Sequence, residues 1–539
     1  MLKNPNWVYG SNDIFVPARL NFGEFIIQKL WAHRDKICFI NGANGETLKY
    51  GEIAQNAMNV AVSLHRIGVR KREAIAICSE NRREFFPSVI GAVCAGAVIS
   101  TVNVGYTPGE LKHVLNITKP SYIFCSPIAY KNYKKTLKYL QFLKKTIIFG
   151  DEKPESQNVI MYNDIALSNN GILKENVQFE DFRPVEVRGD DPLFVLYSSG
   201  TTGMPKGVIL SHLNLLTACC LPVAQDPSVI TLTVNPWHHA FGLFGNFCAF
   251  TTGRTAVYLS KFDMQMYLMC IEKYKVAQLT VVPPILVALC KVDIKYDIST
   301  VRLINSGAAP LHKDTLEVLK TKLPNAQVLQ GYGMTEVTLG VTRDTLATAH
   351  LAKPGGVGFI CGGTIIKIVD IETRKTLGPN QRGELCIRGP LVMKGYIGKD
   401  SKDDFDSEGF FKTGDIGYYD DDKYFFIVDR LKELIKYKAY QVAPAEIEAL
   451  LLQHPGVKDV GVIGIENKEA GEVPLAFVVK QTDTDVTEDD VKKFVAERLS
   501  NPKHLRGGVR FVDQIPKNPS GKILRKTLRA VAKSGKSKL

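Results

Sequence analysis

Short apolar runs alternate with longer amphipathic stretches along most of the chain. Ile37–Ile40, Ala74–Cys78, Val98–Val102, Tyr122–Cys125 and Thr146–Phe149 each read as a buried strand. Between them apolar residues recur at helical spacing. Ile53, Ala57, Val60 and Leu64 share one face, and Phe85, Phe86, Val89, Ile90 and Val93 share another. Helices are predicted over Asn21–Leu30, Gly51–His65, Arg83–Ala97, the stretch after Pro108, and Tyr130–Phe142. Strand and helix in regular alternation predict a parallel sheet covered by helices. Glu152–Glu186 is polar and weakly periodic, the pattern of a surface connection.

The alternation resumes with strands at Leu193–Leu196, Val229–Val234, Leu279–Val282, Arg302–Asn305 and Gln327–Gln330, and helices over Leu213–Cys220 and Met264–Tyr274. Several of these strands run into glycine-rich or polar junctions: Pro236–Gly242, Ser306–Pro310 and Gly331–Glu336. In a parallel sheet such carboxyl ends line the ligand crevice. Past Gly355 the strands Ile365–Val369, Gly383–Arg388 and Tyr424–Val428 are joined by polar turns, which predicts a smaller, largely antiparallel β-rich subdomain. The remainder has its own α+β pattern, with helices at Ala445–Leu452 and Glu488–Arg498 and strands at Val460–Gly464 and Leu475–Val479. The expected fold is therefore α/β: a large multi-subdomain region over 1–429, then a small mobile α+β domain over 430–539.

The stretch Tyr197–Gly207 stands apart. It follows an apolar strand and packs glycines, hydroxyls and Lys206 together, so that backbone N–H groups, side-chain donors and a mobile cation converge. The ligand suited to it is a polyphosphate, although the residue order is neither that of a Walker A loop nor of a dinucleotide fingerprint.

Composition narrows the classes. At 539 residues the chain exceeds one growing core, while 45% hydrophobic and 23% charged residues are ordinary for a globular protein. The formal charge of +13 permits anionic ligands, but the lysines are dispersed, without an arginine-rich arm or aromatic-basic stripe, and nucleic-acid binding is not expected. The 11 cysteines have neither metal-ligand spacing nor the density of a secreted scaffold. Val89–Val98 is too short to span a bilayer, and no apolar segment follows Met1–Pro5 as a secretory signal requires. Ser537, Lys538 and Leu539 form the tripeptide read by a peroxisomal import receptor, and peroxisomal localisation is expected.

Taken together, Ser198–Gly207, Gly331–Glu336, Thr413-Gly414-Asp415, Asp429–Lys432 and Pro519–Lys522 resemble the successive signatures of the acyl-adenylate-forming superfamily, across nearly the whole chain. That group includes acyl-CoA synthetases and beetle luciferases. Trp237–Gly242, Lys436–Glu446 and the Ser-Lys-Leu end resemble the insect luciferase-like acyl-CoA ligases most. The resemblance implies two half-reactions. A carboxylate attacks the α-phosphate of ATP to give acyl-AMP and pyrophosphate, and the thiol of coenzyme A then displaces AMP. A fatty acid of medium or long chain is the implied substrate.

The resemblance also implies roles. Ser198, Ser199, Gly200, Thr201, Thr202, Gly203 and Lys206 would hold the β- and γ-phosphates. Gly331, Tyr332, Gly333 and Met334 would contact adenine and the acyl pocket, Thr335 the α-phosphate, and Glu336 the Mg²⁺. Asp415 would accept from the ribose hydroxyls, and Arg430 would contact ribose or phosphate near the hinge. Lys522 would bridge carboxylate and α-phosphate during adenylation, and Lys436 would replace it after rotation of the small domain. His239 would orient the carboxylate or gate the thiol, or else partner Trp237 or a backbone carbonyl. Phe241, Ser306, Gly307 and Ala308 would shape the acyl side. Ala240 and Ala308 stand where beetle luciferases resemble glycine, and Ala439 replaces a family glycine beside the expected CoA path. The two methyls favour a general acyl-CoA ligase, with a luciferase as the alternative.

Overall fold

The computed structural model describes the chain except residues 1–3, 18, 153, 155, 157, 169–170, 199–204, 222–226, 310, 312, 439, 483, 519–520 and 535–539. Ser199, Gly200, Thr201, Thr202 and Gly203 of the donor-rich loop, Ala439, and Ser537, Lys538 and Leu539 therefore lie outside the described residues.

Among the described residues the strands assemble into four sheets. One, of eight strands, has the run Val98–Val102, Ala74–Cys78, Tyr122–Cys125, Lys145–Ile148 and Val159–Met161 paired parallel throughout. A second, of nine strands, holds Thr231–Thr233, Gln278–Val281, Leu303–Ser306 and Gln327–Tyr332 as parallel neighbours. Helix Tyr50–Arg66 buries Ile53, Ala57, Val60 and Leu64, and it packs beside Phe85–Cys94. Gly91 leaves no room there for a side chain, since a Cβ would fall 2.6 Å from Val60.

The β-rich subdomain is a six-stranded antiparallel sheet containing Ile365–Val369, Gly383–Arg388, Phe411–Tyr419 and Phe425–Arg430. Its edge is Trp7–Tyr9, a strand too short to be visible in the apolar pattern. The five-stranded sheet begins at Ile435–Tyr437 and is built on the long hairpin Val457–Asn467 and Gly471–Lys480. Apolar clusters of its own pack on both faces.

One local expectation changes and two further elements emerge. Chain Glu152–Glu186 contains the strand Val159–Met161 and the short helix Tyr162–Ala166, both carried by apolar residues that its polar average hides. Lys206–Ser211 is a strand that returns antiparallel against Pro192–Ser198, with Lys206 opposite Ser198, so the donor-rich loop joins two strands of a hairpin. The basic tail forms the helix Arg525–Ser534, anchored by fully buried Leu528 against Ile463, Leu475 and Phe477. No helix among the described residues is long and apolar enough to cross a membrane.

Candidate active site

The parallel strands of the nine-stranded sheet deliver their carboxyl ends to one place. Thr233, Thr280, Asn305, Ser306 and Gly331 line a cavity of about 250 Å³, joined by His239, Phe241, Met334 and Thr335. A second cavity, about 880 Å³, lies against it and is closed from the other side by Lys458, Gly521, Lys522 and Arg525. Ala308 and Gln330 to Gly333 line both. This shared wall has little freedom. A Cβ on Gly333 would sit 1.8 Å from the Leu339 carbonyl oxygen, so only glycine fits. Ala308 holds φ +71°, a left-handed backbone that costs a non-glycine residue about 1–2 kcal/mol. The Ser306 hydroxyl beside it is buried without a hydrogen-bond partner.

Asp415 stands where two sheets meet. It is buried on Phe411–Tyr419, and its Oδ2 accepts a 2.7 Å hydrogen bond from the hydroxyl of Tyr332 on the nine-stranded sheet. Arg430 Nε is 3.2 Å from its other oxygen, and the two residues are backbone partners. Burial and the adjacent Asp415 carboxylate raise the Tyr332 phenol, which keeps it a donor. Thr335 and Glu336 sit buried on a single 3₁₀ turn. Glu336 Oε1 accepts from the Tyr396 hydroxyl at 3.0 Å, and the Tyr396 ring lies 5.2 Å beneath the Lys206 ammonium. Strand Gly395–Tyr396 pairs with the hairpin arm, so Glu336 is tied to the base of the donor-rich loop.

His239 caps helix Ala240–Phe250, its Nδ1 accepting from the Phe241 N–H at 3.5 Å. The imidazole proton therefore belongs on Nε2. Desolvation holds its pKa below the usual histidine value, and that of neighbouring His238 falls to about 3. The Trp237 indole N–H has no hydrogen-bond partner, so His239 is not its structural mate. Asn81 braces the segment instead, accepting from Trp237 N–H at 2.8 Å and donating to the carbonyls of Asn235 and Leu259.

Lys522 is partly buried and faces the larger cavity together with Asp415 and Arg430. Its ammonium pKa is lowered to about 8, first by burial and then by Arg430, against the pull of Asp415 and Glu433. Gly521, at φ +79°, brings the backbone against Pro284, where a Cβ would fall 2.7 Å from the ring. Lys291 Nζ donates to the Lys458 carbonyl at 2.8 Å across the same boundary. Lys436 lies elsewhere: it is exposed on Ile435–Tyr437, its backbone N–H held by Glu472, and it lines neither cavity.

The structure thus gathers Thr335, Ser306, Gly307, Ala308, Gly331, Tyr332, Gly333, Met334, His239, Asp415, Arg430 and Lys522, with Glu336, Ser198 and Lys206 at the margin. Asn81 and Tyr396 were not identified from the sequence. Each is a lone polar residue whose partners are distant along the chain. The buried pair Glu448–Arg525, 2.7 Å apart, also went unseen; it fixes the start of the last helix against Pro444–Leu451.

Among the described residues no cluster of three acidic, histidine or cysteine side chains could hold a metal ion by itself. Glu336 as a single carboxylate suits Mg²⁺, which keeps waters and binds substrate phosphates alongside one or two carboxylates.

Comparison with known proteins gives the same picture. The AMP-binding enzyme model matches residues 28–397, and the AMP-binding enzyme C-terminal domain matches 446–522. The chain is 38% identical to a luciferin 4-monooxygenase of Photuris pensylvanica over the full length of both. It is also 38% identical to 4-coumarate–CoA ligase 2 of Nicotiana tabacum, covering 97% of this chain and 96% of that one. ATP-bound MatB of Rhodopseudomonas palustris superposes with a TM-score of 0.83 at 28% identity, over 95% of this chain and 99% of its own. With its two-part fold, its converging strand ends and matches across nearly its whole length, this chain belongs to the AMP-binding enzyme family and is an acid-activating ligase of the acyl-adenylate-forming superfamily.

Proposed function

We propose that the protein is an ATP-dependent acid:CoA ligase that converts a carboxylic acid with an apolar body, of medium- or long-chain fatty type, into its CoA thioester through an acyl-AMP. The observation that carries this reading is the wall shared by two cavities. An acid in the smaller cavity, which has few charged groups, would present its carboxylate at Ala308 and Gly331–Gly333, and a nucleotide in the larger would bring its α-phosphate to the same strand ends. Lys522, facing the larger cavity, would offset the charge that accumulates when two anions meet. Asp415 would accept from the ribose hydroxyls through the lone pairs that Tyr332 and Arg430 leave open. Thr335 would donate to the α-phosphate, and Ser198 to Lys206 would hold the departing pyrophosphate.

Glu336 would hold Mg²⁺, whose charge, when bound, screens the phosphates from the incoming carboxylate. His239, with its proton on Nε2, would donate to the carboxylate. Lys436 would take the place of Lys522 only after the C-terminal unit, taken as 430–539, turns on the hinge near Lys432. Import into peroxisomes through Ser537, Lys538 and Leu539 is part of the same proposal, checked by the location of a fluorescent fusion with and without that tripeptide.

A second reading, a luciferase that adenylates luciferin and oxidises it with O₂, is favoured by the full-length likeness to the Photuris enzyme. The strained Ala308 methyl on the shared wall counts against close approach of a flat aromatic acid. Purified enzyme with ATP, Mg²⁺ and a panel of acids, with and without CoA, separates the readings. A ligase gives AMP, pyrophosphate and a CoA ester with little light; a luciferase gives light from luciferin without needing CoA. Absence of carboxylate-dependent pyrophosphate exchange with every acid would end both.

A further inference from the structure

The far end of the smaller cavity carries a charge that an acid with a plain hydrocarbon tail would leave unused. Arg254 lies just ahead of strand Ala256–Tyr258, at the end of the nine-stranded sheet opposite the strand ends that form the shared wall. It lines the cavity and is 7% exposed. Its Nε has no hydrogen-bond partner, and a terminal nitrogen reaches only the neutral Gln278 side chain, at 3.3 Å. Among the described residues no carboxylate lies within 4.0 Å of the guanidinium. Asp344, the acid on the same cavity wall, is already engaged by the Tyr424 hydroxyl at 2.8 Å and the Gln330 N–H at 3.2 Å.

A buried guanidinium with an open N–H and no counter-ion is costly unless a partner arrives. The surroundings are otherwise neutral: Tyr50 donates to the Arg254 carbonyl, and Cys248 lines the cavity nearby. Desolvation lowers the Arg254 pKa to about 10, which still leaves the group cationic at neutral pH. From the level of Gln278 to that of Val281 and Ser306 is three residues along the sheet, about 10 Å at roughly 3.3 Å per residue. An acid about 10 Å long whose activated carboxylate lies at the shared wall would bring its other end near the level of Arg254.

We propose that Arg254 is a specificity residue that receives an anionic oxygen, a second carboxylate, at the far end of the acid. The preferred substrate is then an α,ω-dicarboxylic acid with an apolar middle, one end adenylated and the other paired with the guanidinium. Such an acid is the product of an oxidation that leaves a carboxyl at the far end, as oxidation of the terminal methyl of a monocarboxylic acid does. This inference depends on the ligase reading above.

The test compares matched pairs, hexanoic with adipic acid through to dodecanoic with dodecanedioic acid, by kcat/KM for AMP release with ATP, Mg²⁺ and CoA. The wild-type enzyme should prefer the diacid at the best-fitting length by about tenfold or more. Arg254→Met should lose that preference and gain on the methyl-ended acid, whereas Arg254→Lys should keep part of it. KM for ATP should stay within about twofold in both variants, because Arg254 lines only the acid cavity. Should Arg254→Met fail to fold, the wild-type ratio and the lysine variant decide. Equal or better use of methyl-ended acids by the wild type at every length would overturn the proposal while leaving the ligase intact. So would a diacid preference that Arg254→Met leaves unchanged. If no acid in the panel released AMP, the ligase reading would fail first and take this inference with it.

Discussion

The two cavities that meet at Gly331–Gly333 are built on opposite plans. The smaller is lined by residues of the N-terminal region alone, chiefly the strands of one parallel sheet and helix Ala240–Phe250, and its shape is fixed by close packing. The larger is assembled from three separate sheets and closed by Lys522 and its neighbours, where Gly521 meets Pro284 and Lys291 donates to the Lys458 carbonyl. One is a finished receptacle. The other is completed by residues of the C-terminal unit. The difference teaches that changes in the first should alter which acid is used, and changes in the second should alter which half-reaction runs.

The largest expected effect breaks the comparison at Lys522. Lys522→Ala should slow carboxylate-dependent pyrophosphate exchange by about 10²–10³-fold, the range for losing one charge-stabilising donor. CoA-ester formation from supplied acyl-AMP should stay within a few-fold of wild type; equal loss of both halves would place Lys522 in general stability. Asp415→Asn comes next. It exchanges an acceptor-only side chain for one with a donor, and KM for ATP should rise about 10–100-fold, the span for a hydrogen bond to a charged group. The ranking of acids should not change; a reordered panel would show that the two cavities are not independent.

A pH profile sharpens the contrast. The Lys522 ammonium pKa is lowered to about 8, so the protonated, active form is lost as pH rises through that value. In the free enzyme kcat/KM for adenylation should fall above about pH 8, while transfer from supplied acyl-AMP should not follow the same limb. The sign for stability is opposite. The unfolded lysine binds its proton up to a higher pH, so this group's cost to folding shrinks as pH rises past 8. The smallest effect is expected from Tyr396→Phe, which removes the hydroxyl from Glu336. About a fivefold rise in KM for the Mg²⁺–ATP complex, with acid preference unchanged, corresponds to one ordinary hydrogen bond of about 1 kcal/mol.

Much of this arrangement was legible in the residues. Strands buried on both faces, such as Ala74–Cys78 and Tyr122–Cys125, announce themselves as unbroken apolar runs, and the junctions Ser306–Pro310 and Gly331–Glu336 hold the glycines a close-packed wall needs. The hairpin arm Lys206–Ser211 is held to Pro192–Ser198 by backbone groups, which the residue types do not reveal. The last helix was missed for a different reason. Its charge outweighs the single buried Leu528, and its fixed end depends on Glu448, far upstream in sequence. Arg254 was invisible too, because nothing in a sequence distinguishes a solvated arginine from one whose Nε is buried without a partner.

The wall formed by Ala308 and Gly331–Gly333 has a consequence for concentration. Two reactants brought to the same strand ends, as proposed above, would meet without diffusing, and well-oriented neighbours of that kind behave as though each were present at about 10⁵–10⁸ M. The rigidity of Gly333, which admits no side chain, and of Ala308, held at φ +71°, maintains that local concentration between turnovers. A wall that yielded by an ångström would dilute its own substrates.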